Sequence, residues 1–555
     1  MRTPSVRLSF MLLAALPIAC TPGGSSGGPK TVGALQTGRL IEPLVGGLPY
    51  STPTLAGVTA SDGTFHYRAG EKVTFTLGGT SIGRPTRGAA ELRVIDLVPG
   101  ATLPVKVAEL ARFRQEGAMA RPAADLIDSF EAVNVLVLLD ALDADKDGNN
   151  GITLAPSLDA VLAATTLDLR QPSFRFLRGF PLREAVYRAF DAGRIPDARI
   201  RDPWPILDRQ FALAGLEPQA WVTTRSEVDW NNDGNLDSVT DTLLDSRGIP
   251  DLHLADYNGD GSYDTFEKWL VDDEGRLLAS EYDFDGDGGV DASIRSTFDL
   301  HGRLERAEYD SDGDFIPDRT TSYGYDAVGN LVRLDYDHNG DGTIEASEER
   351  EYDAGGRLTR LLRDSNGDGA PDVIASTTYD ANGFAIESSD DFDADGNPDA
   401  IRHFENDASG LPLAERNDFD GDGNIDSTRT LVWDAAGNMS VERYDYQADG
   451  DDDLVVTREY DARRRAVHYA QDNGADGSID DVASFEYVDD DEGREVERHD
   501  DYGDDGTTNY VYRQSWGAEG QRLTAVWDTN GDGITDSNAK EVQTRTSLLA
   551  LTVGD

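Results

Sequence analysis

The sequence holds a single cysteine, Cys20, in 555 residues. No disulfide can form within the chain, and no cysteine-based zinc site or catalytic thiol fits in its body. Positive charge is scarce: 50 Lys and Arg stand against 104 Asp and Glu, a net charge of −54. So acidic a surface repels phosphate backbones and anionic lipid, which excludes nucleic acid as a partner and points to cations. Apolar residues reach only 38%. Beyond the first twenty positions no run is apolar enough to span a bilayer. Catalytic signatures are missing as well: there is no G-x-S-x-G elbow, H-E-x-x-H helix, P-loop or dinucleotide fingerprint. The 7 histidines are scattered. Acid pairs abound, but none stands out from the rest, so the expectation is a protein that is not an enzyme.

The N-terminus carries the one long apolar run. Arg2 and Arg7 precede Leu8 to Ala19, a secretory signal too short to cross a bilayer. Leu16-Pro17-Ile18-Ala19-Cys20 resembles a bacterial lipoprotein signal, with Pro17 where Leu is commoner. That resemblance implies cleavage before Cys20 and a lipid on its sulfur, an anchor in the cell envelope at the outer membrane or cell surface. Residues 21–29, rich in Gly, Ser and Pro, form a flexible tether.

Charge divides the remainder. Residues 1–220 hold 22 acids and 23 bases, whereas 221–555 hold 82 and 27. Residues 30–105 read as a small β-sandwich-like module. The run Gly63–Gly78 alternates apolar and polar residues around Gly70, a hairpin pattern. It resembles β modules near the N-termini of secreted lipoproteins and adhesin-like proteins. Residues 106–220 read as helical, with helices expected at Asp125–Leu142, Asp159–Leu167 (capped by Ser157), Arg183–Ala192 and Ile206–Leu216. After the first of these, Asp143, Asp145 and Asp147 alternate before Gly148, like the first half of a calcium loop. Leu154 stands where an EF-hand has its bidentate Glu.

From residue 221 the chain repeats. The motif D-x-[DN]-x-D-G-x-x-D starts at Asp229 and recurs every 27 residues as far as Asp472, then at Asp501 and Asp528, twelve copies in all. The two extra residues before Asp501 fall in an acidic turn near Asp489. Between the loops a second motif keeps the beat: an aromatic, Asp, and Gly three residues later, as in Tyr325-Asp326 with Gly329, Tyr352-Asp353 with Gly356, and Trp433-Asp434 with Gly437. Arg464 interrupts that Gly column. The stretches between are six or seven residues long and rich in Thr, Val, Leu, Tyr and Arg, which makes them strands. Twelve units give about 24 strands, with all acidic loops on one edge. The fold class is mainly β: the β module, a helical middle, then a long antiparallel hairpin array over 221–540. That array must coil as a ribbon, a spiral shell or a propeller-like ring. Residues 541–555 remain as a tail.

Carboxylates at loop positions 1, 3, 5 and 9 converge on one point, and Gly at position 6 permits the turn, so each loop offers oxygens to a hard cation. The ligand sets begin with Asp229, Asn231, Asp233, Asp237 and Asp256, Asn258, Asp260, Asp264. They continue with Asp283, Asp285, Asp287, Asp291 and Asp310, Asp312, Asp314, Asp318. Next come Asp337, Asn339, Asp341, Glu345 and Asp364, Asn366, Asp368, Asp372. Asp391, Asp393, Asp395, Asp399 and Asp418, Asp420, Asp422, Asp426 follow. The later loops offer Asp445, Asp449, Asp453; Asp472, Asp476, Asp480; Asp501, Asp505; and Asp528, Asn530, Asp532, Asp536. Glu267 and Glu348 add position 12, as in an EF-hand. Gln447, Gly474 and Gly503 at position 3 weaken three loops, and Phe315 replaces the position-6 Gly of another. The expectation is an array of structural Ca2+ sites; the plain alternative is a set of Asp/Gly turns that need no metal. Position-2 aromatics (Trp230, Tyr257, Phe284, Phe392, Phe419) are expected to pack between loops as a ladder, with sugar stacking the alternative.

The loops resemble the calcium-binding hairpins of FG-GAP and thrombospondin type 3 repeats, and the Tyr-Asp-x-x-Gly turns resemble the YD repeats of the Rhs family. The 27-residue period is half an FG-GAP blade, and the processing parts of Rhs proteins are absent from the motifs. The resemblance therefore implies a hairpin and a metal loop only. The expected function is a lipid-anchored, calcium-binding surface scaffold or adhesin-like module. A glycan- or protein-binding receptor is the alternative, and a polysaccharide-active enzyme a more distant one.

Overall fold

The computed structural model describes residues 33–548, apart from 105–106, 118, 120, 149, 214, 216–219, 273–274, 489–493, 518–520 and 547. Cys20 and the tether lie outside the described residues, as does the acidic turn at Asp489. No helix among the described residues is long and apolar enough to cross a membrane.

The β module is built as two small sheets. Thr64–Arg68 pairs with Leu35–Ile41, which also takes Glu91–Arg93 alongside. Lys72–Leu77 instead joins Pro49–Ser51 and Thr80–Arg87. The expected hairpin around Gly70 is thus not one. The alternating pattern is real, but Gly70 passes the chain from one sheet to the other. Phe65 and Phe75 meet edge-on at 5.5 Å between them.

The helical segment packs against this module. Ile127–Ala141 is buried from Ser129 onward, as its apolar content requires. The helices expected at 183–192 and 206–216 appear as Phe180–Asp191 and Pro203–Leu213. The one expected at 159–167 is a single turn, Leu158–Val161, and Ser157 makes no cap bond because its φ is +69°. One hydrophobic cluster joins both parts, from Leu40 to Phe211, with Leu548 from the far end of the chain.

The repeats form a closed barrel of 24 antiparallel strands, each bonded to its neighbours in sequence. Of the shapes left open, closure into a ring is the one adopted, as one continuous barrel wall in place of a propeller. The first strand, Ala220–Asp229, closes against the last, Ser537–Thr546. Residues 541–546 therefore belong to the wall, and Leu548 belongs to the core; they are not a tail. Twenty-four strands at about 4.8 Å spacing make a ring on the order of 40 Å across, too wide for side chains to fill. Among the described residues, none from Ala220 to Thr546 joins the hydrophobic cluster. Most strands are 7 residues long, and charge appears on both faces: Glu348 and Arg350 alternate with Glu349 and Glu351 in one strand. A lipid-spanning wall needs about 9–11 residues per strand and an apolar outer band. These strands are shorter than that, and Ala346–Tyr352 carries charge on both faces.

The Tyr-Asp turns hold the ring together. Asp353 Oδ1 accepts the N–H groups of Gly355 and Arg357, and its Oδ2 accepts Arg357 Nε at 2.6 Å. Arg357 then lies over the next repeat's Tyr379, 5.0 Å from its centroid. Tyr379 Oη donates back to Leu358 O at 2.7 Å. Tyr325, Tyr352, Tyr460 and Tyr487 make the same bond 21 residues back, and Trp433 and Trp516 make it through indole N–H. Each bond contributes about 0.5–1.5 kcal/mol net, repeated around the ring.

All these turns lie on one rim, and the helical segment sits across it as a lid. Arg121 donates to Asp407 at 3.0 Å, Tyr187 stacks on His301 at 5.2 Å, and Arg464 donates to Glu116 at 2.8 Å. The break in the Gly column is therefore the lid's anchor. The acidic loops crown the opposite rim.

Candidate metal loops on the acidic rim

Each loop is first a self-closing turn. In all twelve copies the position-1 Asp accepts, through Oδ2, the N–H of position 6; Asp418 takes Gly423 N–H at 2.8 Å and Asp283 takes Gly288 N–H at 2.8 Å. The position-9 side chain accepts the N–H of position 2, as Asp426 does from Phe419 at 2.6 Å and Glu345 from His338 at 2.7 Å. Asn509, the one amide at position 9, does the same for Tyr502. Burial raises the Asp418 carboxyl, but the N–H donors of its own loop, Gly423 foremost, outweigh it and hold it below the ordinary value. A carboxyl held low in this way stays ionised at neutral pH, which is the form a metal binds.

Position 4 proves as constrained as position 6. Gly421 has φ +68°, and a Cβ there would lie 2.2 Å from Pro398 O of the preceding loop. Gly259, Gly286, Gly313, Gly340, Gly367 and Gly531 are held the same way. Position-6 glycines such as Gly423 face open space and serve only their φ of +89°. The Gly at position 4 is thus what lets one loop nest on the next. Gly stands at position 4 in seven of the twelve loops, a recurrence that the motif leaves unspecified.

Five loops bring three acids together: Asp283, Asp285, Asp291; Asp310, Asp312, Asp318; Asp337, Asp341, Glu345; Asp391, Asp393, Asp399; and Asp418, Asp420, Asp426. In each, one oxygen per residue lies within 4.8 Å of the others. Calcium ligands sit about 2.3–2.6 Å from the ion, so oxygens sharing one ion are at most about 5 Å apart. The donor set and its spacing fit Ca2+. Phe315, with φ +64°, still allows its loop to gather three acids. The loops with Gln447, Gly474 and Gly503 are not among the five. Those at Asp229, Asp256, Asp364 and Asp528 offer Asn at position 3, an amide oxygen in place of a carboxylate.

Two expectations need correction. Glu267 and Glu348 do not return to their loops. An EF-hand places position 12 on a helix that folds back, whereas here it lies along an extended strand. Glu267 accepts Trp269 Nε1 at 2.7 Å, and Glu348 pairs with Arg350 and Arg363. Nor do the position-2 aromatics form a ladder between loops. Trp230, Tyr257 and Phe284 are more than 60% exposed. Phe284 stacks instead on Tyr282 of its own strand, at 5.8 Å.

Asp143, Asp145 and Asp147 are not among the acid groups the structure brings together. Asp143 is buried and accepts Thr153 N–H at 2.8 Å. Burial, opposed by that N–H and reinforced by Asp145, pushes its carboxyl up to about 6. An acid whose folded value exceeds its ordinary 3.8 favours folding when protonated. The benefit is full below that lower value and is lost as pH rises through 6. Asp143→Asn keeps the acceptor for Thr153. It is expected to raise stability at pH 7 by about 1–3 kcal/mol and to flatten the profile between pH 4 and 7. Thermal melts across that range check it; an unchanged profile would exclude Asp143 as the cause.

No family model matches this sequence. No curated protein matches it either. Among solved structures, the crystal structure of TcdB2-TccC3-TEV aligns over 56% of this chain at 13% identity and a TM-score of 0.30. This chain spans 18% of that one. A Photorhabdus luminescens Tc holotoxin pore aligns over 57% at 12% identity and a TM-score of 0.29. A porin-like protein from Bacteroides uniformis aligns over 58% of this chain and 98% of its own, at 8% identity and a TM-score of 0.19.

Proposed function

We propose that this protein is a calcium-binding repeat scaffold of the bacterial cell envelope, lipid-anchored through Cys20 and acting as a surface structural or adhesin-like module. The observation that carries the reading is the Asp418 loop. Asp418 Oδ1 is buried and meets no hydrogen-bond donor, and Asp420 and Asp426 each hold an oxygen within 4.8 Å of it or its partner oxygen. Asp528 Oδ1 is in the same state. A buried anionic oxygen without a donor is costly, and a divalent cation removes the cost.

Because hydrogen bonds already close each loop, calcium is not needed to shape it. Its role is to neutralise neighbouring acidic loops stacked about 10 Å apart, close to one Debye length. Extracellular modules bind calcium at about 10⁻⁴–10⁻³ M, which suits structural use. Calorimetric titration of the full chain, after chelation, is expected to show several equivalents bound and a rise in melting temperature. Binding of fewer than one equivalent at millimolar Ca2+ would reduce the loops to turns.

A second reading, a glycan- or protein-binding receptor, draws on the exposed aromatics at the acidic rim. A selective glycan-array hit lost in Trp230→Ala or Phe284→Ala would favour it.

A further inference from the structure

We propose that the Asp418 loop, holding calcium, binds a neutral polysaccharide: two adjacent hydroxyls of one sugar complete the coordination of the ion, and Phe419 takes the sugar ring. This site rests on the calcium reading above and adds a ligand to it.

The loop by itself leaves the ion short of oxygens. Asp418 is only 3% exposed; its Oδ1 meets no donor, and its Oδ2 is taken by Gly423 N–H. Asp426 gives Oδ2 to Phe419 N–H, and Asp420 gives Oδ1 to Asp422 N–H at 3.2 Å. Each of these three acids keeps one oxygen for a metal. Asp422, at position 5, keeps none. Its Oδ1 accepts Asn424 N–H at 2.7 Å and Asn424 Nδ2 at 2.8 Å, and its Oδ2 accepts the same Nδ2 at 2.9 Å. Calcium takes about six to eight oxygens. Three carboxylate oxygens and the position-7 carbonyl leave at least two places open. Asp420, Gly423 and Asn424 are exposed, so those places face water.

Charge selects what fills them. The three carboxylates carry −3 against the +2 of the ion, on a chain of net charge −54. A further anion is repelled there, and a neutral oxygen is not. Adjacent hydroxyls of a sugar present two neutral oxygens at once. Phe419 follows Asp418 directly, its N–H held by Asp426 at 2.6 Å, and its side chain is left largely in water, the residue being 59% exposed. The negative face of an aromatic ring suits the C–H face of a pyranose. The preceding repeat carries the same set. Asp391, Asp393 and Asp399 gather, Asp395 turns to Asn397, and Phe392 is 58% exposed. The two loops stand two strand spacings apart, about 10 Å. One polysaccharide chain can engage both, which raises its avidity.

The test is retention of the full chain on immobilised mannan and galactan in millimolar Ca2+, beside calorimetry of the ion alone. Retention on at least one of the two is expected, with release by chelator and by methyl mannoside or methyl galactoside, and no release by glucuronate at the same concentration. Mg2+, which dehydrates reluctantly, should not replace Ca2+. Phe392→Ala combined with Phe419→Ala should weaken retention at least tenfold at unchanged calcium stoichiometry, because neither side chain is a ligand to the ion. Calcium bound without retention on either polysaccharide overturns the proposal and leaves the calcium reading standing, whereas no calcium bound overturns both. Retention that survives chelator, that Mg2+ supports equally, or that the double variant keeps in full also overturns it. Release by glucuronate ahead of the neutral sugars overturns the assignment of a neutral ligand.

Discussion

Ending the chain at residue 536 is expected to open the barrel. The last strand pairs on one side with Ala220–Asp229 and on the other with Arg522–Asp528. Without it both become free edges, each a row of unpaired N–H and C=O groups ready to bond another chain. The lid loses its tie as well, because Leu548 is fully buried in the core and its N–H meets Asp208 Oδ1 at 3.1 Å. Light scattering should therefore show concentration-dependent self-association, and the melt should lose more than about 5 kcal/mol and its cooperativity. Leu548→Ala separates the two effects. It should cost about 2–5 kcal/mol through the lid alone, with the barrel still monomeric. A monomeric, equally stable truncation would mean that closure contributes nothing.

That strand shows where the sequence was legible and where it was not. The 27-residue period, the seven-residue strands and the placement of the acidic loops on one edge could all be read, because each depends on local turn chemistry. Asp353, Gly356 and Arg357 act within one turn. Closure could not be read, because it is set by twist accumulated over 24 strands, and no residue encodes it. The same limit explains Gly70: alternation marks Thr64–Arg68 and Lys72–Leu77 as strands without saying which sheet each joins. At the rim the motif brought positions 1, 3 and 9 together in four loops and positions 1, 5 and 9 in a fifth, whereas position 5 of the other four is left out of the group, as Asp422 turns to accept the N–H of Asn424. The motif misled at Glu267 and Glu348, where the EF-hand analogy assumed a helix that the strand replaces.

Arg464 was legible as an exception without a reason, and its reason is a test of what holds the lid. It sits where other repeats have Gly, at φ +64°. That conformation costs a side-chain-bearing residue about 1–2 kcal/mol. In return its guanidinium reaches Glu116 at 2.8 Å and Asn438 at 2.8 Å. Glu116 is only 4% exposed at its side chain, Arg464 only 10%. Arg464→Gly therefore relieves the backbone and strands the carboxylate. Removing one partner of a buried pair costs about 3–5 kcal/mol, which outweighs the relief. The variant should lose a net of about 1–4 kcal/mol, read as faster hydrogen exchange in Val107–Gly117. Adding Glu116→Gln removes the stranded charge while keeping an acceptor for Ala123 N–H, so the double variant should regain most of the loss. A stabilised single variant would mean that strain relief wins and the lid is held by Arg121 with Asp407 and by Tyr187 with His301. A double variant no better than the single would place the cost in packing around the Arg464 stem, with the charge pair contributing nothing.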